Sequence, residues 1–356
     1  MKHDHSVPMK SKKKPPSDCS ILILLMGSLG DVVRGLYLVS HLKDTLHRSK
    51  ITWLIEPKWV DVVKLHPMVD EVIIFDRPKG VPAVWDLYKD LAQEHFDITL
   101  DLQRHLKSGF FSFLSGAKRR IGFHRRNAKE FNWLLNNEQI GEFSDDLPKL
   151  GHYLKFAEYL GLPRPISLES GLNSIDLSAT MPKIIAEIDD PLFAVIMGSA
   201  WESKDWVFEG YFRLVQNIFS SGSGTVVFVG DHSKEIFAAR LSEALDAPAL
   251  INMVGKTSLL ELAAVLKRAA VAVGPDSGPG HLAAAVGTPY VSIFGPTSPV
   301  RTAPHGCEHL VVYAGVDCAP CYRKRCPGRD KICMGSIPVE AVEQKLSEAL
   351  AMGHVG

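Results

Sequence analysis

Residues 270–304 read Ala-Val-Ala-Val-Gly-Pro-Asp-Ser-Gly-Pro-Gly-His-Leu-Ala-Ala-Ala-Val-Gly-Thr-Pro-Tyr-Val-Ser-Ile-Phe-Gly-Pro-Thr-Ser-Pro-Val-Arg-Thr-Ala-Pro. The apolar run Ala269–Val273 ends in a polar, glycine-rich loop, and Pro279 then opens an alanine-rich stretch that reads as helix. A second apolar run, Tyr290–Phe294, ends in a Gly-Pro-Thr loop. Strand, loop, helix, strand, loop is the parallel βαβ unit of an α/β protein. Pro279 suits the first helical turn, where its missing N–H costs nothing. Gly278 and Gly280 let a ligand approach the backbone closely. First-turn N–H groups and the positive end of the helix dipole suit an anion, a phosphate above all. Both loops are expected at the carboxyl ends of neighbouring strands, where open α/β sheets bind ligands.

Outward from this stretch the alternation continues. The carboxy-terminal half predicts strands at Phe193–Met197, Thr225–Val229, Ala249–Asn252, Ala269–Val273, Tyr290–Phe294 and His309–Val312. Helices are expected near Phe208–Phe219, Ser233–Leu245, Ser258–Lys267 and Pro279–Val286. The amino-terminal half predicts strands at Ser20–Met26, Ile51–Ile55, Glu71–Phe75 and Asp97–Asp101, with helices at Asp31–Leu46, Trp59–Leu65 and Val84–Glu94. Residues 161–191 hold Pro163, Pro165, Pro182 and Pro191 with little periodicity, and the inter-domain connection is placed there. At 356 residues the chain exceeds one ordinary core. The expectation is therefore an α/β protein of two Rossmann-like parallel-sheet domains, 19–172 and 173–336, facing across a cleft. A disordered basic tail (1–18) would precede them. A terminal segment (337–356), carrying an amphipathic helix at Pro338–Ala351, would pack back on the first domain.

A formal net charge of zero argues against nucleic acid as an obligate partner. No apolar run approaches the roughly 20 residues of a membrane span. The first 18 residues carry Lys10, Lys12, Lys13 and Lys14 without the apolar core of a signal peptide; attraction to anionic lipid is a second reading of them. A basic stretch between Arg104 and Lys129 is interleaved with aromatics. Cys318, Cys321, Cys326 and Cys333 form a C-x2-C-x4-C-x6-C cluster, which reads either as zinc or iron–sulfur ligands or as a surface loop of reduced thiols.

Several loops carry chemistry. Gly27-Ser28-Leu29-Gly30-Asp31 follows the first strand as a nucleotide loop would, yet it is neither G-x-G-x-x-G nor a Walker A loop. Asp31 reads either as a dipole-favoured acid opening a helix or as a general base. Lys204, flanked by Glu202 and Asp205, is either solvated or a diphosphate ligand. Asp231 or Glu235 could accept hydrogen bonds from ribose hydroxyls. Thr257 or Ser258 caps the next helix. His281 is either structural or a ligand contact.

The combined motifs resemble the ADP-heptose:lipopolysaccharide heptosyltransferases of glycosyltransferase family 9. Gly-Ser-Leu-Gly-Asp (27–31), Ser-Lys-Asp-Trp (203–206), Val-Gly-Lys-Thr-Ser-Leu-Leu-Glu-Leu (254–262), and Asp-Ser-Gly-Pro-Gly-His-Leu-Ala-Ala-Ala (276–285) with Phe-Gly-Pro-Thr-Ser-Pro (294–299) match in order. The cysteine cluster resembles the tail of many members. Trp53-Leu54-Ile55-Glu56 and the pattern at 204–206 are similar to the type that adds the first heptose to Kdo. Gly280 is a harmless variation of the Gly-Pro-x-His loop, and His232 stands where some members carry Glu.

The resemblance implies a GT-B fold and an inverting, metal-independent transfer of L-glycero-D-manno-heptose from ADP-heptose to the lipopolysaccharide inner core, with Kdo or heptose as acceptor. No Asp-x-Asp is present for a metal-bridged diphosphate. Asp31 would be the catalytic base. Lys204, Glu235, Thr257, Asp276, Ser277, Gly278, Pro279 and His281 would bind the donor. Ser28, Gly30, Arg104, Lys107, Arg120 and Arg125 would hold the anionic glycolipid acceptor. No cofactor is required, no nucleic acid is involved, and the site of action is the cytoplasm, with peripheral contact at the inner membrane. Two other readings stay open: another nucleotide-sugar enzyme such as a hexosyltransferase or 2-epimerase, and a non-catalytic nucleotide- or metal-binding protein built around the cysteines.

Overall fold

The computed structural model describes residues 14–328 and 330–353. Lys10, Lys12 and Lys13 of the expected basic tail lie outside the described residues. The chain divides into two compact units, one running to Gly171 and the other starting at Leu172.

The first unit is built on β1 (Ser20–Leu24), α1 (Leu29–Thr45), β2 (Lys50–Ile55), α2 (Val60–Leu65), β3 (Glu71–Ile74), α3 (Val81–Gln93), β4 (Ile98–Asp101), α4 (Leu106–Leu114), β5 (Arg119–Gly122), β6 (Glu138–Gln139) and α5 (Lys149–Tyr159). Its strands form one parallel sheet in the order β3-β2-β1-β4-β5-β6. β1 is central and apolar from its second residue onward, so Ile21, Leu22, Ile23 and Leu24 are all buried. A strand covered on both faces needs a continuous apolar run rather than an alternating one.

The second unit repeats the winding. After a short α6 (Lys183–Ala186) come β7 (Leu192–Ile196), α7 (Phe208–Ser220), β8 (Thr225–Val229), α8 (Glu235–Leu245), β9 (Leu250–Asn252), α9 (Leu259–Arg268), β10 (Val271–Pro275), α10 (Gly278–Ala285) and β11 (Tyr290–Phe294). The unit ends with α11 (Pro299–Thr302), β12 (Val311–Tyr313), α12 (Ile332–Gly335) and α13 (Val339–Gly353). The sheet order is β12-β11-β10-β7-β8-β9, again all parallel. In each sheet the order reverses beside the first strand, between β1 and β4 and between β7 and β10. Ligands of open α/β sheets bind at such switch points, outside the carboxyl ends.

Two expectations need correction. The C-terminal helix was expected on the first domain. Instead α13 packs on β10, β11, β12 and α7 of the second unit, burying Val342, Leu346 and Ala349. Arg213 and Asn217 of α7 bond Glu340 and Glu343 across that contact. Gly280 is also more than a harmless variation. A Cβ there would overlap the ring of Tyr290, whose hydroxyl donates to Pro275 O at 2.7 Å. Helix–strand packing by itself requires a glycine at this position.

The segment after β4 was read only as a basic stretch, and it folds into α4, β5 and β6. The periodicity of α4 is inverted. Its buried face is Ser108, Gly109, Phe111 and Ser112, while Leu106, Phe110 and Phe113 point outward. Small polar residues face inward because the fully buried Asp101 carboxylate needs donors. It accepts from Ser108 Oγ (3.1 Å), Asn132 Nδ2 (2.6 Å) and Asn136 Nδ2 (3.2 Å), and from the Gln103 amide (3.1 Å). Burial pushes the Asp101 carboxyl up to about 6 in spite of those bonds.

Gly280→Ala should destabilise the protein. Overpacking against Tyr290 costs about 1–3 kcal/mol, and helix propensity returns about 1 kcal/mol. The net loss lowers Tm by about 2–4 °C per kcal/mol. In a Tyr290→Leu background the same change should cost less, which thermal unfolding of the double-mutant cycle measures.

Candidate active site

Asp31 stands in the first turn of α1, at the carboxyl end of β1 and beside the switch point. Ser28 caps the helix, its Oγ accepting from the Asp31 amide at 3.4 Å, and donates to Asp31 Oδ2 at 2.8 Å. Asp31 Oδ1 receives Arg34 and Lys149, each at 3.1 Å. The Tyr153 hydroxyl bonds the same carboxylate. Burial by itself would raise the Asp31 pKa; Lys149, Arg34 and the Ser28 hydroxyl outweigh it and hold the carboxyl far below its ordinary value. The group is ionised throughout the neutral range and keeps part of its surface open to solvent.

Lys149 and Tyr153 come from α5, an element the sequence reading did not place. Lys149 falls outside the motifs around Asp31, and only folding brings α5 onto α1 across 118 residues of chain. The same helix organises Arg104, whose guanidinium bonds His152 Nδ1 (2.8 Å) and Asp145 (3.1 Å) and lies over the rings of Phe123 and Phe143. Lys107, at the start of α4, approaches Glu56 at 4.0 Å in the loop after β2, and burial lowers its pKa. Gly30 sits in the first turn of α1, and Arg125 is exposed just beyond β5. Arg120 does not join them. It lies in the first half of β5 and donates to the carbonyls of Leu135 and Ala117, so its charge is spent on local structure.

In the second unit the loops at the carboxyl ends of β7, β10 and β11 converge on one buried carboxylate. Asp276 Oδ2 accepts from Lys204 Nζ at 2.7 Å, Thr297 Oγ1 at 2.7 Å and Thr302 Oγ1 at 3.2 Å. Burial works to raise the Asp276 pKa, but Lys204, His281 and Thr297 prevail and lower it. Lys204 is therefore no solvated lysine. Its ammonium is pinned by Asp276 and lies over the ring of Trp201. Ser277 caps α10 by accepting from the Gly280 amide at 3.4 Å, Pro279 occupies the first turn after Gly278, and His281, two residues beyond Pro279, is buried. Thr297 stands in the Gly-Pro-Thr loop already singled out, though its partner was not legible, and Thr302 carries no local mark.

The remaining donor candidates lie at the ends of β8 and β9. Glu235 Oε1 bonds His232 Nδ1 at 2.6 Å, and both side chains lie against Gly255, where a Cβ would overlap the Glu235 carboxylate. Ser258, not Thr257, caps α9, in a reciprocal pair with Glu261. Thr257 therefore has no capping duty. Lys234 makes a close ion pair with Asp205, whose other oxygen accepts from the Ser199 amide.

Cys318, Cys321, Cys326 and Cys333 line one cavity of about 250 Å³ together with Ser203, Pro296 and Lys331. Among the described residues no group of three or more His, Cys, Asp or Glu side chains is arranged to hold a metal ion. The cysteine loop braces the Lys204 loop. Ser203 donates to Lys324 O (3.2 Å) and Arg323 O (2.5 Å), and the Tyr322 amide donates to Pro296 O (2.8 Å).

Comparison with known proteins identifies the family. The glycosyltransferase family 9 (heptosyltransferase) profile matches residues 84–331. The lipopolysaccharide core heptosyltransferase OpsX of Haemophilus influenzae is 29% identical, over 80% of this chain and 82% of its own length. Lipopolysaccharide heptosyltransferase 1 of Pseudomonas aeruginosa is 26% identical, over 86% of this chain and 87% of its own. Among solved structures, E. coli heptosyltransferase WaaC with ADP superposes with a TM-score of 0.76 at 22% identity, covering 93% of this chain and 99% of that one; the likeness places the fold in the GT-B class. The profile spans more than half of the chain and the fold agrees with it, so the chain is a member of glycosyltransferase family 9, the heptosyltransferases.

Proposed function

We propose that this enzyme transfers L-glycero-D-manno-heptose from ADP-heptose to the lipopolysaccharide inner core, with inversion and without a metal ion, at the cytoplasmic side of the membrane. The observation that carries the reading is the pair of charge arrangements at the two switch points. One is an ionised carboxylate in the first unit; the other is a fixed lysine beside a capped helix N-terminus in the second. The named relatives from H. influenzae and P. aeruginosa, and the ADP bound to the E. coli protein, support the same donor and acceptor classes.

The chemistry follows from those groups. The acceptor hydroxyl oxygen bonds to the anomeric carbon of the heptose as the bond from that carbon to the diphosphate oxygen breaks. The hydroxyl proton passes to Asp31, and ADP leaves with the bonding electrons. Asp31 is always in its basic form but has low proton affinity. It therefore takes the proton late, once the forming C–O bond has acidified the hydroxyl. Lys204 and the first-turn amides of α10 meet the charge that grows on the leaving diphosphate. Glu235 and Thr257 contact the nucleoside, and Arg104, Lys107 and Arg125 meet carboxylates and phosphates of the acceptor. The direct test is product formation from ADP-heptose and Kdo-bearing lipid A, with the new linkage read by NMR and a chelator arm in parallel. Failure with every heptose-accepting core would overturn the reading.

Three outcomes are expected of variants. Asp31→Asn should lower turnover at least about 100-fold while leaving the ADP dissociation constant unchanged by calorimetry. Because the Asp31 pKa is depressed, its contribution to stability is complete above the ordinary carboxylate range and is lost as pH falls towards the folded value. Between pH about 5 and 8, accordingly, turnover should show no ionisation of this group. Lys149→Met should move the acid limb of kcat upward in pH at constant donor KM. Lys204→Met should weaken ADP about 10-fold or more, the loss of a charge-assisted bond. It should also destabilise the protein by leaving Asp276 unpaired, and adding Asp276→Asn should restore the stability but not the ADP affinity.

A further inference from the structure

The loop after β11 carries a cation that the chemistry above does not use. Arg301 lies on α11, one residue before Thr302, whose Oγ1 reaches Asp276 Oδ2 at 3.2 Å. Its side chain is half-buried. Among the described residues its enclosed Nε has no hydrogen-bond partner and no carboxylate pairs with its guanidinium. The guanidinium Cζ instead lies 5.5 Å from the centroid of the Tyr322 ring. An aromatic face orients an arginine without cancelling its charge. An enclosed N–H with no acceptor is costly, and a ligand that brings acceptors accounts for it.

The support beneath Arg301 is fixed on several sides. Thr297 Oγ1 donates to Asp276 at 2.7 Å, and the Tyr322 amide donates to Pro296 O at 2.8 Å. A Cβ on Gly295 would overlap Met334 Sδ, so α12 closes on the start of the same loop. The arginine is thus presented ready-placed, and no acid has to be displaced before it can bind an anion.

Charge decides what it is for. The loops after β7, β10 and β11 meet at Asp276, and the Lys and Arg that they carry are Lys204 and Arg301. Lys204 forms an ion pair with Asp276 at 2.7 Å, so the pair brings no net charge to a ligand. Lys234, after β8, is likewise paired with Asp205. A diphosphate that departs as a nucleoside diphosphate gains negative charge, and a neutral pair with backbone dipoles answers that only in part. Arg301 supplies a positive charge that no acid cancels.

Strand order places it along the donor. From β9 the sheet runs through β8, β7 and β10 to β11, with neighbouring strands about 4.8 Å apart. Thr257 and Glu235, assigned to the nucleoside, follow β9 and β8. Lys204 and the amides of α10 follow β7 and β10. Arg301 comes one strand further from the nucleoside, where the sugar-bearing phosphate falls.

We infer that Arg301 is a donor-binding residue whose terminal nitrogens donate to the sugar-bearing β-phosphate. The inference rests on the reading of the donor as an ADP-sugar. As the bond from the anomeric carbon breaks, its electron pair stays on the β-phosphate oxygen. Arg301 therefore holds the departing ADP more strongly than the intact donor.

Calorimetry with ADP and with AMP tests this. Arg301→Met should weaken ADP about tenfold or more and leave AMP within about twofold, because AMP lacks the second phosphate. Unchanged AMP binding also shows that the variant folds. Arg301→Lys should lie between wild type and Arg301→Met, keeping the charge but losing the fork and the stack on Tyr322. With saturating ADP-heptose, kcat of Arg301→Met should fall at least about tenfold at unchanged acceptor KM. Equal ADP affinity in wild type and Arg301→Met, or ADP and AMP weakened alike, would overturn the assignment and leave the donor reading in place. A wild-type protein that binds neither nucleotide would overturn both.

Discussion

Every crossover in this protein links parallel strands, and parallel strands joined through helices are right-handed almost without exception. That constraint fixes the molecule. Starting from a central strand, each unit winds outward to one edge, returns, and winds to the other, giving the orders β3-β2-β1-β4-β5-β6 and β12-β11-β10-β7-β8-β9. The reversal leaves loops splayed apart at the carboxyl ends of β1 and β4 and of β7 and β10. Asp31, Arg104, Lys107, Lys204 and Asp276 sit on those loops or on helices that start from them.

At both switch points a carboxylate is held by a lysine from a distant part of the chain, Asp31 by Lys149 and Asp276 by Lys204. A partly buried ion pair adds little net stability, because desolvation offsets much of the attraction. Its value here is position. Lys149 ties α5 to α1 and keeps the base ionised, whereas Asp276 fixes Lys204 over Trp201 and beside the first turn of α10. The same residue types thus serve opposite ends: in one unit the lysine sets up the acid, in the other the acid sets up the lysine. The cysteine loop adds a mechanical brace to the second arrangement through Ser203 and Pro296.

The segment that follows β4 shows how one buried charge reshapes its surroundings. Asp101 lies fully buried at the end of a central strand. Serine and asparagine donors must surround it. Their place on α4 and in the 132–136 turn uses up the inward face, and the aromatics are turned out to solvent. A core requirement and a surface property are two consequences of the same carboxylate.

The alternation of apolar runs with helical segments determined the two α/β units, most strand positions and the loop of residues 276–281 without any coordinates. Strand and helix periodicity is local, and parallel strands buried on both faces leave an unbroken apolar signature. Asp31, Lys204, Asp276 and His281 were legible because they stand in loops directly after such strands. Tertiary structure alone decided who meets whom. Lys149, Tyr153 and Thr302 carry no local signal, Thr297 stands in a legible loop whose partner was not, Arg120 serves backbone carbonyls, and α13 found its cover in the second unit. Helix α4 escaped because its buried positions are polar, and a pattern of hydrophobicity cannot report a helix whose inward face is chosen by hydrogen bonding to a buried charge.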